Sequence, residues 1–356
     1  MTRCFGTGRR VGSLLVAVGS LLSATTALSQ TDARIFTDEK KWLSIQFPAP
    51  PTVTATRYDV VTPGGTKIAV PATLYDFKQN GSEYRVTVAN LAGSVADDPH
   101  ALEHAVTAFR RRKGIALDTA VSHSLGASGY QLCGRSFGYS GPGGKLNYQT
   151  LFYNDNAHLF YDIYSSVTLK AEPQHGAEVT HFQQSLALLA DPASKLPAPL
   201  NYPDNWKLYD YPTARFGIRF PAAPTVEQAA YHTDGGINVP ATRYWTRVGG
   251  TLYRLTVAQL WETEADNGNA VDEGVAVWKR HGEVIADDTV AVNAAQCGRD
   301  VALKSPQGTI SRARIFFPSS QHRLYVIEVA QEVGNQTPDA ADTDRFLQSF
   351  TVAKPE

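Results

Sequence analysis

The stretch GSEYRVTVANL at residues 81–91 returns as GTLYRLTVAQL at residues 250–260, with seven of eleven letters identical. Both copies follow a glycine-containing turn and alternate apolar with polar residues, which is typical of a half-buried β-strand. A strand repeated at an offset of 169 residues indicates an internal duplication, and a duplication determines how the whole chain is organised. We therefore expect one module that occurs twice.

Other short stretches extend the repeat in both directions. Two modules are predicted, at residues 35–190 and 206–354, and the Pro-rich residues 191–205 between them form a predicted linker. The paired stretches are IQFPAPPTV at 45–53 with IRFPAAPTV at 218–226, VPATLY at 70–75 with VPATRY at 239–244, Cys-Gly-Arg at 133–135 with 297–299, and HFQQSL at 181–186 with RFLQSF at 345–350.

The N-terminus has the three parts of a secretory signal. Arginines precede an apolar run at residues 11–24, and Ala27-Leu28-Ser29 offers a small-residue cleavage site. We predict a signal peptide at residues 1–29, no membrane span in the mature chain, and a periplasmic or secreted protein. The 356-residue chain is 43% hydrophobic with a formal net charge of -1, which is typical of a globular protein and gives no basic excess for nucleic acid.

Each copy reads as strands, a central helix, further strands and a C-terminal helix. In the first copy DDPHALEHAVTAFRRRKG at residues 97–114 has an acidic start, helical apolar spacing and a basic end. Phe182 and Phe346 mark the two terminal helices. Because the connections between strands are too short for parallel crossovers, we predict an α+β fold with a largely antiparallel sheet in each of two tandem domains.

Several of these stretches carry a resemblance to a known fold family. FGIRFPAAPTV, GGTLYRLTVAQL, the Cys-Gly-Arg segment, HRLYVIEV and DRFLQSF together resemble a small exported bacterial module with the PsbP-like (DcrB-like) fold. The resemblance covers nearly the whole chain after residue 34, twice. It implies a fold and an export route, and it brings no catalytic residues with it.

The repeated Cys-Gly-Arg triplet contains both cysteines that remain after removal of the signal, Cys133 and Cys297. A duplicated position favours an architectural role over a reactive one, because a catalytic cysteine needs a partner base that neither copy supplies. Three states stay open. The cysteines form a structural disulfide if the modules pack about a pseudo-two-fold axis, or they are separate buried thiols, or they are exposed and reactive.

HALEH at residues 100–104 fits the H-x-x-E-H zinc motif of one class of peptidases. His100, Glu103 and His104 fall on the helix face opposite Leu102 and Val106, and the second copy has no histidine at these positions. We therefore interpret this face as exposed to solvent and predict no catalytic, cofactor or metal site.

The sequence contains no nucleophile elbow, P-loop or dinucleotide fingerprint in the required context. We expect an exported, non-enzymatic binding or accessory protein of the bacterial envelope, with an envelope protein or a small ligand as partner and no nucleic acid. The alternative is a hydrolase with a site in the groove between the two modules. A catalytic copy should differ from its partner copy in clustered polar residues.

Overall fold

A computed structural model describes residues 34–111, 115–125, 130–170, 172–188, 200–266, 269–293, 296–331 and 338–352. We call residues 34–188 the first half and residues 200–352 the second half. The predicted signal peptide and most of the predicted linker lie outside the described residues, and the predicted domain boundaries stay predictions. All described residues belong to one compact unit.

The described residues of the first half form ten strands and two helices. Its strands are β1 (Arg34–Asp38), β2 (Leu43–Phe47), β3 (Thr52–Val61), β4 (Lys67–Gln79), β5 (Ser82–Asn90), β6 (Ile115–Leu125), β7 (Tyr130–Gly141), β8 (Lys145–Asn154), β9 (Leu159–Thr168) and β10 (Ala187–Leu188), and its helices are α1 (Ala101–Arg110) and α2 (Glu172–Gln184).

The second half repeats this order of elements. Its strands are β11 (Lys207–Tyr211), β12 (Phe216–Phe220), β13 (Thr225–His232), β14 (Asn238–Val248), β15 (Thr251–Gln259), β16 (Glu283–Asn293), β17 (Gln296–Lys304), β18 (Ile310–Phe316), β19 (Arg323–Gln331) and β20 (Thr351–Val352), and its helices are α3 (Ala270–Lys279) and α4 (Ala340–Gln348).

The two halves have the same strand order. Seven strands of the first half pair as β3-β4-β5-β9-β8-β7-β6, and seven of the second pair as β13-β14-β15-β19-β18-β17-β16. In the first half β10, β2 and β1 continue the same sheet, whereas β20, β12 and β11 form a separate sheet in the second. The register is also shared, since Arg85 pairs with Tyr164 and Arg254 pairs with Glu328 at equivalent points.

The predicted α+β class is wrong. Strands make up 55% of the structure and helices 17%, so the described part of the chain is mostly antiparallel β-sheet with four short helices. A helix of nine to thirteen residues covers only part of a seven-stranded sheet and does not build a helical layer of its own. One parallel pair, between β10 and β6, interrupts the otherwise antiparallel pairing of the described strands.

In each half the seven strands with the shared order carry buried residues on both faces. In the first half β2 and α2 cover one face, where Phe47, Val86 and Phe182 are fully buried or nearly so, and α1 covers part of the other face through Val106 and Phe109. In β5 every second residue from Ser82 to Val88 is buried and the residues between are partly exposed, so the face towards β2 and α2 is the more completely covered one. No helix among the described residues is long and apolar enough to cross a membrane.

Candidate functional site

The repeated Cys-Gly-Arg triplet lies where the two halves meet. Cys133 on β7 and Cys297 on β17 form a disulfide, with their Cα atoms 5.7 Å apart. Of the three states that the sequence left open, the structure has the bridged one. The bond joins equivalent positions of the two copies, as expected near a pseudo-two-fold axis.

The glycine of each triplet is required by close packing. A Cβ atom on Gly134 would lie 2.3 Å from the Leu151 carbonyl oxygen and 2.4 Å from the Phe152 ring. A Cβ atom on Gly298 would lie 2.4 Å from the Ile315 carbonyl oxygen. Real Cβ atoms do not approach backbone oxygens so closely, so each glycine allows its strand to pass the neighbouring strand beside the disulfide.

Arg135, the last residue of the first triplet, is fully buried and connects the two halves. Its Nε donates to Asp118 Oδ1 at 2.9 Å within the first half. Its Nη2 donates to both oxygens of Asp272 on α3, at 2.9 and 3.0 Å. A buried guanidinium held by two carboxylates from different halves fixes their relative position.

Arg299 makes the reciprocal arrangement from the second half. It donates to Asp287 within its own half, and its guanidinium lies 3.7 Å from Glu103 on α1. Burial lowers the pKa of Arg299, but the charges of Glu103, Asp287 and Asp272 outweigh burial and raise it above its ordinary value. Burial raises the pKa of the Asp287 carboxyl. The positive charges of Arg299 and Lys279 outweigh burial and hold that pKa below its usual range.

The HALEH face of α1 contacts the second half. His100 Nδ1 lies 2.7 Å from Asp288 Oδ1, and the Thr289 N–H donates to Glu103 Oε1 at 2.7 Å. The interpretation of a solvent-exposed face is therefore wrong for Glu103, whereas His100 contacts Asp288 and stays exposed. Amphipathic spacing shows only which side of a helix meets its own sheet, and here the opposite side meets the duplicated half. Among the described residues, no group of three or more His, Cys, Asp or Glu side chains is arranged to hold a metal ion.

A separate opening lies within the first half, and we call it the first-half cavity. Its volume is about 620 Å³, and it lies between α1 and the strands β3, β5, β8 and β9. Ala101, Ala105 and Phe109 of α1 line one side, and Leu151 and Phe160 of the sheet line the other. The small side chains on this face of α1 leave room that larger residues would fill.

The floor of the first-half cavity is polar. Asp162 on β9 is almost fully buried, and its carboxylate accepts hydrogen bonds from the Tyr58 hydroxyl and the Gln149 amide, each at 2.7 Å. The Tyr139 hydroxyl donates to the Gln149 carbonyl oxygen at 3.2 Å. A buried carboxylate in an apolar surrounding is costly unless it is hydrogen-bonded, and this network fixes its orientation.

Positive side chains surround that floor. The Arg85 guanidinium lies 4.2 Å from the centre of the Tyr164 ring and 3.7 Å from Glu83. The lining contains four cationic residues and two anionic ones, so it has a formal excess of two positive charges. The cationic residues are Arg57, Lys67, Arg85 and Arg111, and the anionic ones are Asp59 and Asp162.

The second half lacks this polar floor. The shared register places Ala313 at the position of Gln149 and Val326 at the position of Asp162. Tyr231 occupies the position of Tyr58, and its buried hydroxyl has no hydrogen-bond partner among the described residues. Burial raises the pKa of Tyr231 to about 12. The carboxylate that satisfies this tyrosine in the first half is absent from the second.

The space itself is also nearly closed in the second half, where about 10 Å³ remains beside α3. Gly274 replaces Ala105, and a Cβ atom there would lie 3.1 Å from Ile315 and Leu324. The helix therefore sits directly on the sheet. Arg254 is the equivalent of Arg85, and it pairs with Glu328 where Arg85 pairs with Tyr164. Glu328 accepts a 2.9 Å hydrogen bond from Arg254.

The sequence interpretation missed Gln149 and Asp162. Both lie in stretches read as strands, KLNYQTLFYN and HLFYDIYSSV, and neither belongs to a known motif. The signal that could have found them is the position-by-position comparison of the two copies. The second copy has an apolar residue at each equivalent position, Ala313 for Gln149 and Val326 for Asp162.

No protein-family model and no curated protein matches the chain. Two solved structures show a distant likeness. A protein of unknown function from the DUF3598 family of Nostoc punctiforme is 7% identical over 84% of this chain and all of that chain, with a TM-score of 0.17. A putative thioesterase II from Thermobifida fusca is 10% identical over 70% of this chain and 92% of that chain, with a TM-score of 0.15. At these scores neither likeness bears on fold or function.

Proposed function

We propose that this chain is an exported, non-enzymatic binding protein of the bacterial envelope, and that the first-half cavity is its ligand site. The observation that carries the proposal is the difference between the copies, which lies inside the first half and not in the groove where the hydrolase alternative places its site. One copy has a cavity of about 620 Å³ with Gln149 and Asp162 on its floor, and the other has about 10 Å³, with Ala313 and Val326 at the equivalent positions. Ligand pockets typically combine apolar walls with a few fixed polar groups, as this one does.

The interface groups support a binding role over the hydrolase alternative. A hydrolase in the groove between the halves would use acids and bases such as Glu103 and His100. Glu103 instead accepts from the Thr289 backbone and pairs with Arg299, and His100 pairs with Asp288. These contacts fasten the two halves together, which is a structural use of the titratable groups.

Export remains part of the proposal through the predicted signal peptide at residues 1–29 and the PsbP-like resemblance. A disulfide between Cys133 and Cys297 suits an oxidising compartment such as the periplasm or the exterior. N-terminal sequencing of the protein from a periplasmic or secreted fraction should find a chain that begins near Gln30. An intact Met1 in the membrane pellet would contradict export.

The binding site is tested with anilinonaphthalene sulfonate (ANS), an anionic aromatic probe that becomes fluorescent in apolar surroundings. ANS should bind the native protein at one site. Ala108→Trp fills the first-half cavity from α1 and should weaken ANS binding at least about tenfold, since the lost apolar contacts amount to more than 1.4 kcal/mol.

Thr107→Trp is the matched control, because Thr107 neighbours Ala108 on α1 and is exposed to solvent. Circular dichroism melts of both variants establish that the fold is retained. Equal ANS affinity in the wild type and a folded Ala108→Trp variant would refute the first-half cavity as the site.

A further inference from the structure

The lining of the first-half cavity restricts the chemistry of its ligand, and the restriction begins at the floor. Both oxygens of Asp162 accept hydrogen bonds, so a ligand group that meets them should be a donor. Tyr58 and Gln149 hold Asp162 in place, so no ordering is required when a ligand arrives. A hydroxyl group, which also accepts, suits both Asp162 and the Gln149 amide.

The cationic residues of the lining set a second requirement for the ligand. Arg85 presents a guanidinium that is steadied by the Tyr164 ring, and guanidinium groups bind carboxylates and phosphates through paired N–H donors. Because cationic residues outnumber anionic ones in the lining by four to two, a ligand with a net negative charge is favoured.

The apolar walls of the cavity set a third requirement for the ligand. Phe109, Leu151 and Phe160 present apolar surface to the cavity, and Tyr139 adds an aromatic ring that packs edge-on against Phe109 with centroids 5.4 Å apart. A ligand must therefore have a weakly polar face to cover this surface. A volume of about 620 Å³ admits one or two six-membered rings with their substituents.

We infer that the first-half cavity binds a ring-sized, hydroxylated organic acid of the acidic sugar class, with its carboxylate towards Arg85 and its hydroxyl groups on Asp162 and Gln149. This inference rests on the proposed binding function. A fatty acid would bring only methylene groups to the polar floor, and it would remove water from the Asp162 carboxylate without adding a hydrogen bond. Inorganic phosphate would leave the apolar walls without contacts.

Displacement of ANS and isothermal titration with three probes test the ligand class. D-glucuronate carries both required groups, D-glucose lacks the charge, and cyclohexanecarboxylate lacks the hydroxyl groups. D-glucuronate should bind at least about tenfold more tightly than either of the others, because a site built to hydrogen-bond a hydroxyl rejects an analogue without it.

Two variants locate the contacts. Asp162→Asn and Arg85→Gln should each weaken D-glucuronate binding about tenfold, which is typical for the loss of one charge-assisted hydrogen bond. Arg247→Gln is the matched control, because Arg247 also stacks on an aromatic ring, at 4.6 Å from Trp245, and lies in the second half. It should leave the affinity unchanged.

Equal affinity for D-glucuronate and either analogue would overturn the ligand class, as would unchanged affinity in both Asp162→Asn and Arg85→Gln. A protein that binds ANS in the first-half cavity but binds no D-glucuronate overturns the ligand class and leaves the cavity as a binding site. If the native protein does not bind ANS in the first-half cavity, the proposed function fails, and this outcome is separate from a failure of the ligand class.

Discussion

Replacing Cys133 and Cys297 together by alanine removes the covalent link between the halves. The link closes a loop of 164 residues. In the chain-entropy model a cross-link of this length restricts the unfolded chain by about 5 kcal/mol at 25 °C, and measured bridges often contribute less. We expect the double variant to lose about 3 to 5 kcal/mol of its free energy of unfolding.

Guanidinium chloride titrations, followed by tryptophan fluorescence and by circular dichroism, measure this loss on mature protein beginning at Gln30. Wild-type protein in reducing agent should match the double variant, since both lack the link. Thiol counting on unreduced, denatured protein should find none in the wild type. Two thiols in that count, or a change in unfolding free energy below about 1 kcal/mol, would refute the reasoning.

Three further substitutions test the packing and electrostatics. Gly134→Ala forces a Cβ atom to within 2.3 Å of a carbonyl oxygen and should cost about 2 to 4 kcal/mol in chemical denaturation, whereas Gly64→Ala, with its nearest contact at 3.9 Å, should be nearly neutral. The pKa of Asp287 is lower in the folded than in the unfolded state, so stability should fall as the pH drops below about 4, and Asp287→Asn should flatten that part of the pH profile. Asp339 accepts a hydrogen bond from the Asp342 N–H at the start of α4, and Asp339→Ala should lower the melting temperature through a loss of about 1 kcal/mol.

The sequence predicted those features that depend on local pattern. The repeat of residues 81–91 at 250–260 placed a strand in each half, and β5 and β15 lie there. The predicted fold class was wrong because periodicity identifies a helix without showing how much of a sheet it covers. Four short helices on broad antiparallel sheets do not make an α+β molecule.

The sequence could not show which surfaces the two halves would share. Glu103 and Asp272 looked like exposed residues on the polar faces of two helices, and they are the residues that meet the buried arginines of the opposite half. The first-half cavity was hidden for another reason. Its floor depends on Gln149 and Asp162 lying side by side on neighbouring strands, and strand pairing is a long-range property that one stretch of sequence does not contain.

The location of the ligand site is tested most directly by an NMR titration of alanine-methyl-labelled protein with ANS. Ala105 and Ala108 line the first-half cavity, whereas Ala270 and Ala313 occupy the corresponding region of the second half. A site in the first half predicts saturable shifts of the Ala105 and Ala108 methyl signals with no shift at Ala270 or Ala313. Saturable shifts at Ala270 or Ala313, with Ala105 and Ala108 unmoved, would contradict it.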